Sequence, residues 1–320
     1  MHIVVANPRG FCAGVERAIR IVERALDESS QPLYVRHEIV HNRHVVDAFR
    51  ARGAQFVEDL SAVPEGARTV FSAHGVSPAV EQEARAHGLH VLDATCPLVS
   101  KVHQEVARHG RAGRSVMLIG HAGHPEVEGT LGHFKPQGGA RIHLVSSVAE
   151  AGCVEPADPL QVAYATQTTL SVADTARIVA VLQSRFPALQ GPKLDDICYA
   201  THHRQTAVRE LAARTQAVIV VGAAHSSNTL RLEELAAQCG RPVHRVDDAS
   251  ALQRRWLESY HTVGLTAGAS VPETLVQQVI QRLQDWWPGS DVEEFGQPEQ
   301  VVFALPGHPP SGRALGATAP

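Results

Sequence analysis

The chain has 320 residues, enough for two or three domains with a substantial core, and its 44% hydrophobic and 19% charged residues are ordinary for a globular protein. A net charge of −4 with no Lys/Arg run offers no footprint for nucleic acid, so no nucleic-acid partner is expected. No apolar stretch approaches the roughly 20 residues of a spanning helix, and the N-terminus lacks the basic start and apolar core of a signal peptide, so a cytoplasmic protein with no membrane partner is expected.

The first six residues, MHIVVA, read as a buried strand that ends at the turn Asn7-Pro8. From Gly14 the apolar positions Val15, Ala18, Ile19 and Val22 recur at helical spacing. Cys12 therefore stands near a helix N-terminus, where the positive end of the helix dipole favours a thiolate. A small buried residue in a tight turn is the plain alternative for any one cysteine.

The remainder repeats one plan three times: strand, polar loop, helix, short strand, then a third strand ending in small polar residues. The opening strands and loops are PLYVRHEIVHN (32–42), SVMLIGHAGHPE (115–126) and AVIVVGAAHSSN (217–228). The second strands are AQFVEDL, RIHLVSS and PVHRVDD; the third are TVFSAHGVS, QVAYATQTTLS and HTVGLTAGAS. Pro78, Val172 and Pro272 stand near the starts of the helices that follow, and proline at a first helical position supports two of these. Two repeats then lead to a cysteine before a helix, Cys96 in HVLDATCPLVSKV and Cys198 in LDDICYATHHRQTAV. The third lacks one, but the chain begins with Cys12, so the N-terminal strand completes the third repeat as in a circular permutation.

Strands alternating with helices predict an α/β protein of three similar small domains with mostly parallel sheets. Their expected bounds are 13–96, 97–195 and 196–285, the last completed by residues 1–12. Residues 286–320 are expected to be a C-terminal extension whose Pro/Gly/Ala-rich end, PGHPPSGRALGATAP, is disordered. Functional loops of such sheets gather beyond the carboxyl ends of the strands, which would bring three cysteines to one centre. Five scattered cysteines, an odd number, argue against a secreted disulfide framework and for metal binding or catalysis. Cys153 and Cys239 fall outside the pattern and are read as ordinary apolar or surface residues. Of the 19 histidines, His87 and His109 are placed on solvated faces.

Three thiolates with one open coordination position suit zinc with a bound water or a [4Fe–4S] cluster with one unligated iron, and spacing alone leaves both open. The loops also offer His41, His74, His124, Ser226, Ser227, Asn228 and Ser270. Such donors, with helix N-termini just behind them, are a means of holding a multiply charged anion, and a diphosphate fits better than a carboxylate. Histidines can take up charge as the ligand arrives. Glu126, two residues past His124 at a helix start, is the best-placed acid for proton delivery, with Glu128 a decoy at similar spacing. Thr168 brings a hydroxyl that could equally cap a helix.

These motifs, together with NPRGFCAGVERAI at residues 7–19, resemble the LytB family of 4-hydroxy-3-methylbut-2-enyl diphosphate reductases, in the family's order from residue 1 to about 305. The resemblance implies three domains with pseudo-three-fold symmetry around an oxygen-sensitive [4Fe–4S] cluster, one per chain, ligated by Cys12, Cys96 and Cys198. It implies that His41, His74, His124, Ser226, Ser227, Asn228 and Ser270 bind a diphosphate, that Glu126 relays protons, and that Thr168 stands near the substrate hydroxyl. The implied reaction is the last step of the methylerythritol phosphate route to isoprenoids. There the substrate hydroxyl binds the open iron, water leaves, and isopentenyl or dimethylallyl diphosphate results. With no G-x-G-x-x-G after any strand, electrons are expected from a ferredoxin or flavodoxin type of carrier. The chain departs from the family pattern at His202, His203, His225 and Thr229. A Cys₃ zinc hydrolase, an iron–sulfur sensor and a Lewis-acid dehydratase are the rival readings of the same residues.

Overall fold

The computed structural model describes residues 1–306, so residues 307–320 of the expected disordered tail lie outside the described residues. The chain begins β1 (His2–Ala6), α1 (Ala13–Glu28), β2 (Leu33–Arg36), α2 (Arg43–Ala51), β3 (Ala54–Val57) and β4 (Arg68–Phe71). It continues through α3 (Pro78–Ala86), β5 (His90–Asp93), α4 (Pro97–Arg111), β6 (Ser115–Ile119), α5 (Pro125–Gly132) and β7 (Ile142–Val145). Then come α6 (Val148–Cys153), β8 (Val162–Thr166), α7 (Val172–Arg185), α8 (Tyr199–Arg214), β9 (Ala217–Val221) and α9 (Ser227–Gln238). The last elements are β10 (Val243–Val246), β11 (Thr262–Ala267), α10 (Glu273–Trp286) and β12 (Asp291–Phe295). All strand pairings among the named strands are parallel, in three sheets of order β3-β2-β4-β5, β7-β6-β8 and β10-β9-β11-β1-β12, which bears out the α/β class read from the repeats.

The chain divides into two compact bodies: a central one, Ile21–Ile39 with Phe49–Cys198, and a terminal one, Met1–Arg20, Val40–Ala48 and Tyr199 onward. The central body holds two of the sheets. Its second sheet is covered on both faces, Met117, Ile119, Val145 and Val162 packing on Ile178 and Leu182 of α7. Val116, Leu118, Ala163 and Ala165 face Val102 and Val106 of α4 and Val127 of α5. Covering both faces explains why these strands read as unbroken apolar runs. A fourth strand is reduced to one bridge, Gln190 beside Ala163.

In the terminal body the period-2 alternation is plain. Ile3, Val5, Ile219, Val221, Val263 and Leu265 pack on α10, whereas Val4, Ala6, Val218 and Val220 pack on α8 and α9. The N-terminal strand pairs with β11, from His2↔Thr262 to Val5↔Leu265.

Three details differ from the sequence reading. The extension contributes β12, an edge strand on β1 whose Asp291, Glu293 and Glu294 hid its pattern; charged residues also keep such an edge from pairing with another chain. Pro272 is the residue preceding α10 rather than its first residue. His109 is buried, 3% exposed, because the chain after α5 folds over the end of α4, Gln137 N donating to the Gly110 carbonyl at 3.2 Å. Burial, with Arg108 and Arg114 nearby, lowers the His109 pKa to about 4.

At the centre of β11, Gly264 lets α8 approach closely: a Cβ there would lie 2.7 Å from Leu211 Cγ and 2.9 Å from Thr215 Oγ. Both neighbours sit in a packed interface, so Gly264→Ala is expected to cost about 1–3 kcal/mol. A urea midpoint equal to that of the parent would contradict this packing.

Candidate active site

In the central body the order of each sheet reverses at its first strand, and there the loops at the carboxyl ends splay apart. The loop after β4 carries His74, whose Nδ1 is 3.3 Å from Ser72 Oγ. The loop after β6 carries His124, and the two imidazoles meet edge to face with centroids 5.8 Å apart. His124 caps α5, its Nδ1 accepting from Glu126 N at 3.2 Å. An accepting Nδ1 leaves the ring proton on Nε2, so His124 is arranged as a neutral donor.

Glu126 is 3% exposed. Both of its oxygens are engaged by Thr168, from the loop after β8: Thr168 N donates to Oε1 at 2.6 Å and Thr168 Oγ to Oε2 at 3.0 Å. Burial raises the Glu126 pKa to about 7, against the pull of the two Thr168 bonds, and Asp196 pushes in the same direction as burial. The carboxyl can therefore hold or release a proton near neutrality. Glu128, by contrast, is exposed.

Thr168 is also tied to a cysteine, since its carbonyl accepts from Cys198 N at 3.1 Å. Asp196, two residues earlier, accepts from Thr166 N at 3.1 Å and lies 3.2 Å from Lys101 Nζ; burial nevertheless raises its pKa to about 6. Cys96 is the residue before α4, with Pro97 opening the helix, and its N–H donates to the Ala73 carbonyl at 3.0 Å. That places the Cys96 backbone against the loop of His74. The same loop turns at Gly75 (φ 77°), where a Cβ would lie 2.7 Å from His103 Cε1. His103 stacks on His133 at 4.1 Å between centroids, and His133 Nε2 bonds the Val76 carbonyl at 3.1 Å.

In the terminal body, Ser226 caps α9, accepting from Thr229 N. Ser226, Ser227 and Asn228 are all buried at the helix start. Asn228 Oδ1 accepts from Ala269 N at 2.9 Å, while its Nδ2, in a side chain 5% exposed, has no hydrogen-bond partner among the described residues. The Ala269 carbonyl in turn accepts from Cys12 N at 3.1 Å. Ser270 Oγ donates to the His41 carbonyl at 3.0 Å, and His41 meets His225 edge to face at 5.2 Å. Cys12, Ser226, Ser227, Asn228, Ser270 and His41 are thus linked within this body. His74, His124, Glu126, Thr168, Cys96 and Cys198 are linked within the other.

The loop before Cys12 is fixed by two arginines. Arg9 pairs with Glu273 at 2.8 Å and Glu294 at 3.0 Å, and the fully buried Arg204 donates to the carbonyls of Gly10 and Phe11. Asp196, His103 and Arg204 are site residues that the sequence reading did not single out. Asp196 and Arg204 stand inside the quoted LDDICYATHHRQTAV and His103 one residue past HVLDATCPLVSKV, but a buried polar side chain has no periodicity to mark it.

The donor set fits a soft metal centre. None of the five cysteines is in a disulfide; Cys12, Cys96 and Cys198 are half-buried, each just before a helix, whereas Cys153 and Cys239 are exposed. Three thiolates in that setting match an iron–sulfur group in number and softness. Among the described residues no helix is long and apolar enough to cross a membrane.

Comparison with known proteins gives one answer. The LytB protein family model matches residues 3–284. A 4-hydroxy-3-methylbut-2-enyl diphosphate reductase from Hahella chejuensis is 55% identical over 306 residues, 96% of either chain. One of the same name from Acinetobacter baylyi is 53% identical, covering 96% of this chain and 97% of its own. The solved E-1-hydroxy-2-methyl-but-2-enyl-4-diphosphate reductase of Plasmodium falciparum superposes with a TM-score of 0.90 at 36% identity, over 95% of each chain. A second solved structure, an (E)-4-hydroxy-3-methyl-but-2-enyl diphosphate reductase described as the terminal enzyme of the non-mevalonate pathway, gives 0.64 at 32% identity, over 89% of this chain and 100% of that one. The chain belongs to the LytB family and is an oxidoreductase.

Proposed function

We propose that this chain catalyses the reductive dehydroxylation of 4-hydroxy-3-methylbut-2-enyl diphosphate, in which two electrons and two protons convert the allylic alcohol to isopentenyl or dimethylallyl diphosphate and water. The observation that carries the mechanism is the position of Thr168, which holds both oxygens of the buried Glu126 and accepts the amide of Cys198. An acid titrating near neutrality is thereby tied to a thiol-bearing loop. The names and identities of the relatives support the substrate and the pathway step.

Cys12, Cys96 and Cys198 would hold a [4Fe–4S] cluster, which when bound supplies the electrons and a position for the substrate hydroxyl. The diphosphate is assigned to His41, His74, His124, Ser226, Ser227, Asn228 and Ser270. Neutral donors and the helix starts behind them, α5 after His124 and α9 at Ser226, favour a dense negative charge. The unpartnered Asn228 Nδ2 is suited to donate to a phosphate oxygen. His124, with Nδ1 committed to Glu126 N, donates from Nε2. Glu126 delivers a proton toward the departing hydroxyl, and Thr168 Oγ keeps the carboxyl oriented. An external electron carrier of ferredoxin or flavodoxin type completes the stoichiometry. The cytoplasm is the compartment this reading expects.

The decisive experiment is anaerobic purification with iron and sulfide analysis and a reduced-dye assay on the hydroxylated allylic diphosphate. About four irons per chain and substrate-dependent dye oxidation are expected. Zinc in their place, or a cluster with no electron consumption, would overturn the reading.

Cys12→Ser, Cys96→Ser and Cys198→Ser are each expected to lower bound iron and abolish turnover, while Cys153→Ser keeps both. Equal loss in all four would refute the ligand assignment. Glu126→Gln is expected to cut kcat about 10²–10⁴-fold with KM nearly unchanged, the usual weight of a general acid. The Glu126 pKa of about 7 also sets a pH limb: the acid is protonated below it, so turnover falls as pH rises through about 7. Glu126→Gln removes that limb. Thr168→Val moves it to higher pH, because the lost hydroxyl bond favoured the carboxylate. A limb that stays put in both variants would show that another group controls it.

A further inference from the structure

Arg204, on α8, is 0% exposed. Its Nη2 donates to the carbonyls of Gly10 at 2.8 Å and Phe11 at 3.3 Å, and its Nη1 to Ala200 at 3.0 Å. The carboxylate it faces is that of Glu299, 3.5 Å from Nη1 and 14% exposed, in the segment after β12. Arg204 Nε has no partner among the described residues. Arg9, on this loop, is closely paired with two carboxylates, a group that carries no net positive charge. Arg204 is different. Its one carboxylate partner stands at 3.5 Å, longer than either contact of Arg9, and its guanidinium is fully buried, so a permanent cation is held in a low-dielectric position against the carbonyls of the two residues before Cys12.

Such a charge is costly to bury. An apolar side chain would avoid the cost of burying the charge but would leave the carbonyls of Gly10, Phe11 and Ala200 without this donor. What an apolar side chain could not supply is a permanent charge held on the carbonyls of Gly10 and Phe11, the two residues before Cys12. We infer that Arg204 and Glu299 form an opposed pair that positions the Cys12 loop and sets the reduction potential of the group Cys12 ligates, Arg204 favouring the reduced, more negative state and Glu299 countering it. The inference rests on the reading of Cys12 as a ligand of an iron–sulfur cluster. Cluster potentials respond to net charge and hydrogen bonding nearby, and both are altered here by single substitutions. Arg204 is a positioning residue in this scheme and touches no substrate.

The test is potentiometric titration of the anaerobically purified holoenzyme and its variants, after iron and sulfide analysis of each. Arg204→Gln is expected to shift the midpoint negative and Glu299→Gln to shift it positive. Arg204→Lys is expected to keep a midpoint close to that of the parent but lose iron faster on standing, because an ammonium keeps the charge without the fork that spans two carbonyls. Opposite shifts are a signature that a purely structural role would not produce. Should Arg204→Gln fail to retain its cluster, Glu299→Gln decides alone, since it removes a half-buried acid and leaves the arginine in place. Unmoved midpoints, or shifts of the same sign in both glutamine variants, overturn the inference while leaving the ligand assignment intact. A parent enzyme without iron overturns the ligand assignment, and this inference with it.

Discussion

A parallel strand ends with its carbonyl edge unpaired, and the helix that follows begins with its N–H groups unpaired. Where a sheet reverses its order, two such ends open side by side. The reversal falls at β2 and β4, at β6 and β8, and at β9 and β11. The loops after β4, β6, β8, β9 and β11 carry His74, His124, Thr168, the Ser226–Asn228 run and Ser270. Polar groups accumulate there because it is the one part of a two-sided α/β sheet that is neither core nor outer helix face. Function follows from this constraint.

Two buried acidic or basic groups show how the same burial is used in opposite ways. Glu126 is stripped of water, which favours its neutral form, and Thr168 returns part of the lost solvation through two hydrogen bonds. The balance leaves a carboxyl that exchanges its proton near neutrality. Had Thr168 been apolar, the acid would hold its proton too tightly; with more donors it would release it too readily. Arg204 cannot respond in this way, because a guanidinium keeps its proton. Its burial fixes a charge instead of tuning an equilibrium, and the energy is offset by the carbonyls of Gly10, Phe11 and Ala200.

Much of this was legible in the sequence, for a physical reason. A strand buried on both faces must be apolar throughout, so AVIVV and SVMLI announce β9 and β6, and their loops are found by reading to the end of the run. The functional residues inherit that register. β12 escaped because an edge strand has one exposed side and carries its charges there; only Val292 and Phe295 turn toward the two apolar layers of the sheet. His109 escaped because its burial depends on residues 134–137, which no local pattern on α4 encodes. Arg204 and Asp196 are invisible to periodicity altogether: what buries them is a set of backbone groups distant in sequence.

The positions where the chain departs from the family pattern can be placed in the same terms. Thr229 is fully buried, and a Cβ at Gly222 or Gly268 would lie 2.5 and 2.1 Å from its hydroxyl. The Thr229 side chain is thus accommodated because the ends of β9 and β11 both carry glycine beside it. Gly222, at φ 144°, already needs that residue type for its backbone. His225 leans on the ring of His41, restricting that imidazole without entering the buried row of Ser226–Asn228. His203 is exposed and contacts the ring of Tyr199, at the outer side of the helix whose inner side holds Arg204. Thr229, His225 and His203 thus lie behind a loop or on an outer surface, while Cys12, Asn228 and Ser270 keep the backbone partners that orient them. A neighbouring glycine or open solvent adjoins each of these three side chains, and Cys12, Asn228 and Ser270 are held by main-chain bonds that none of the three makes.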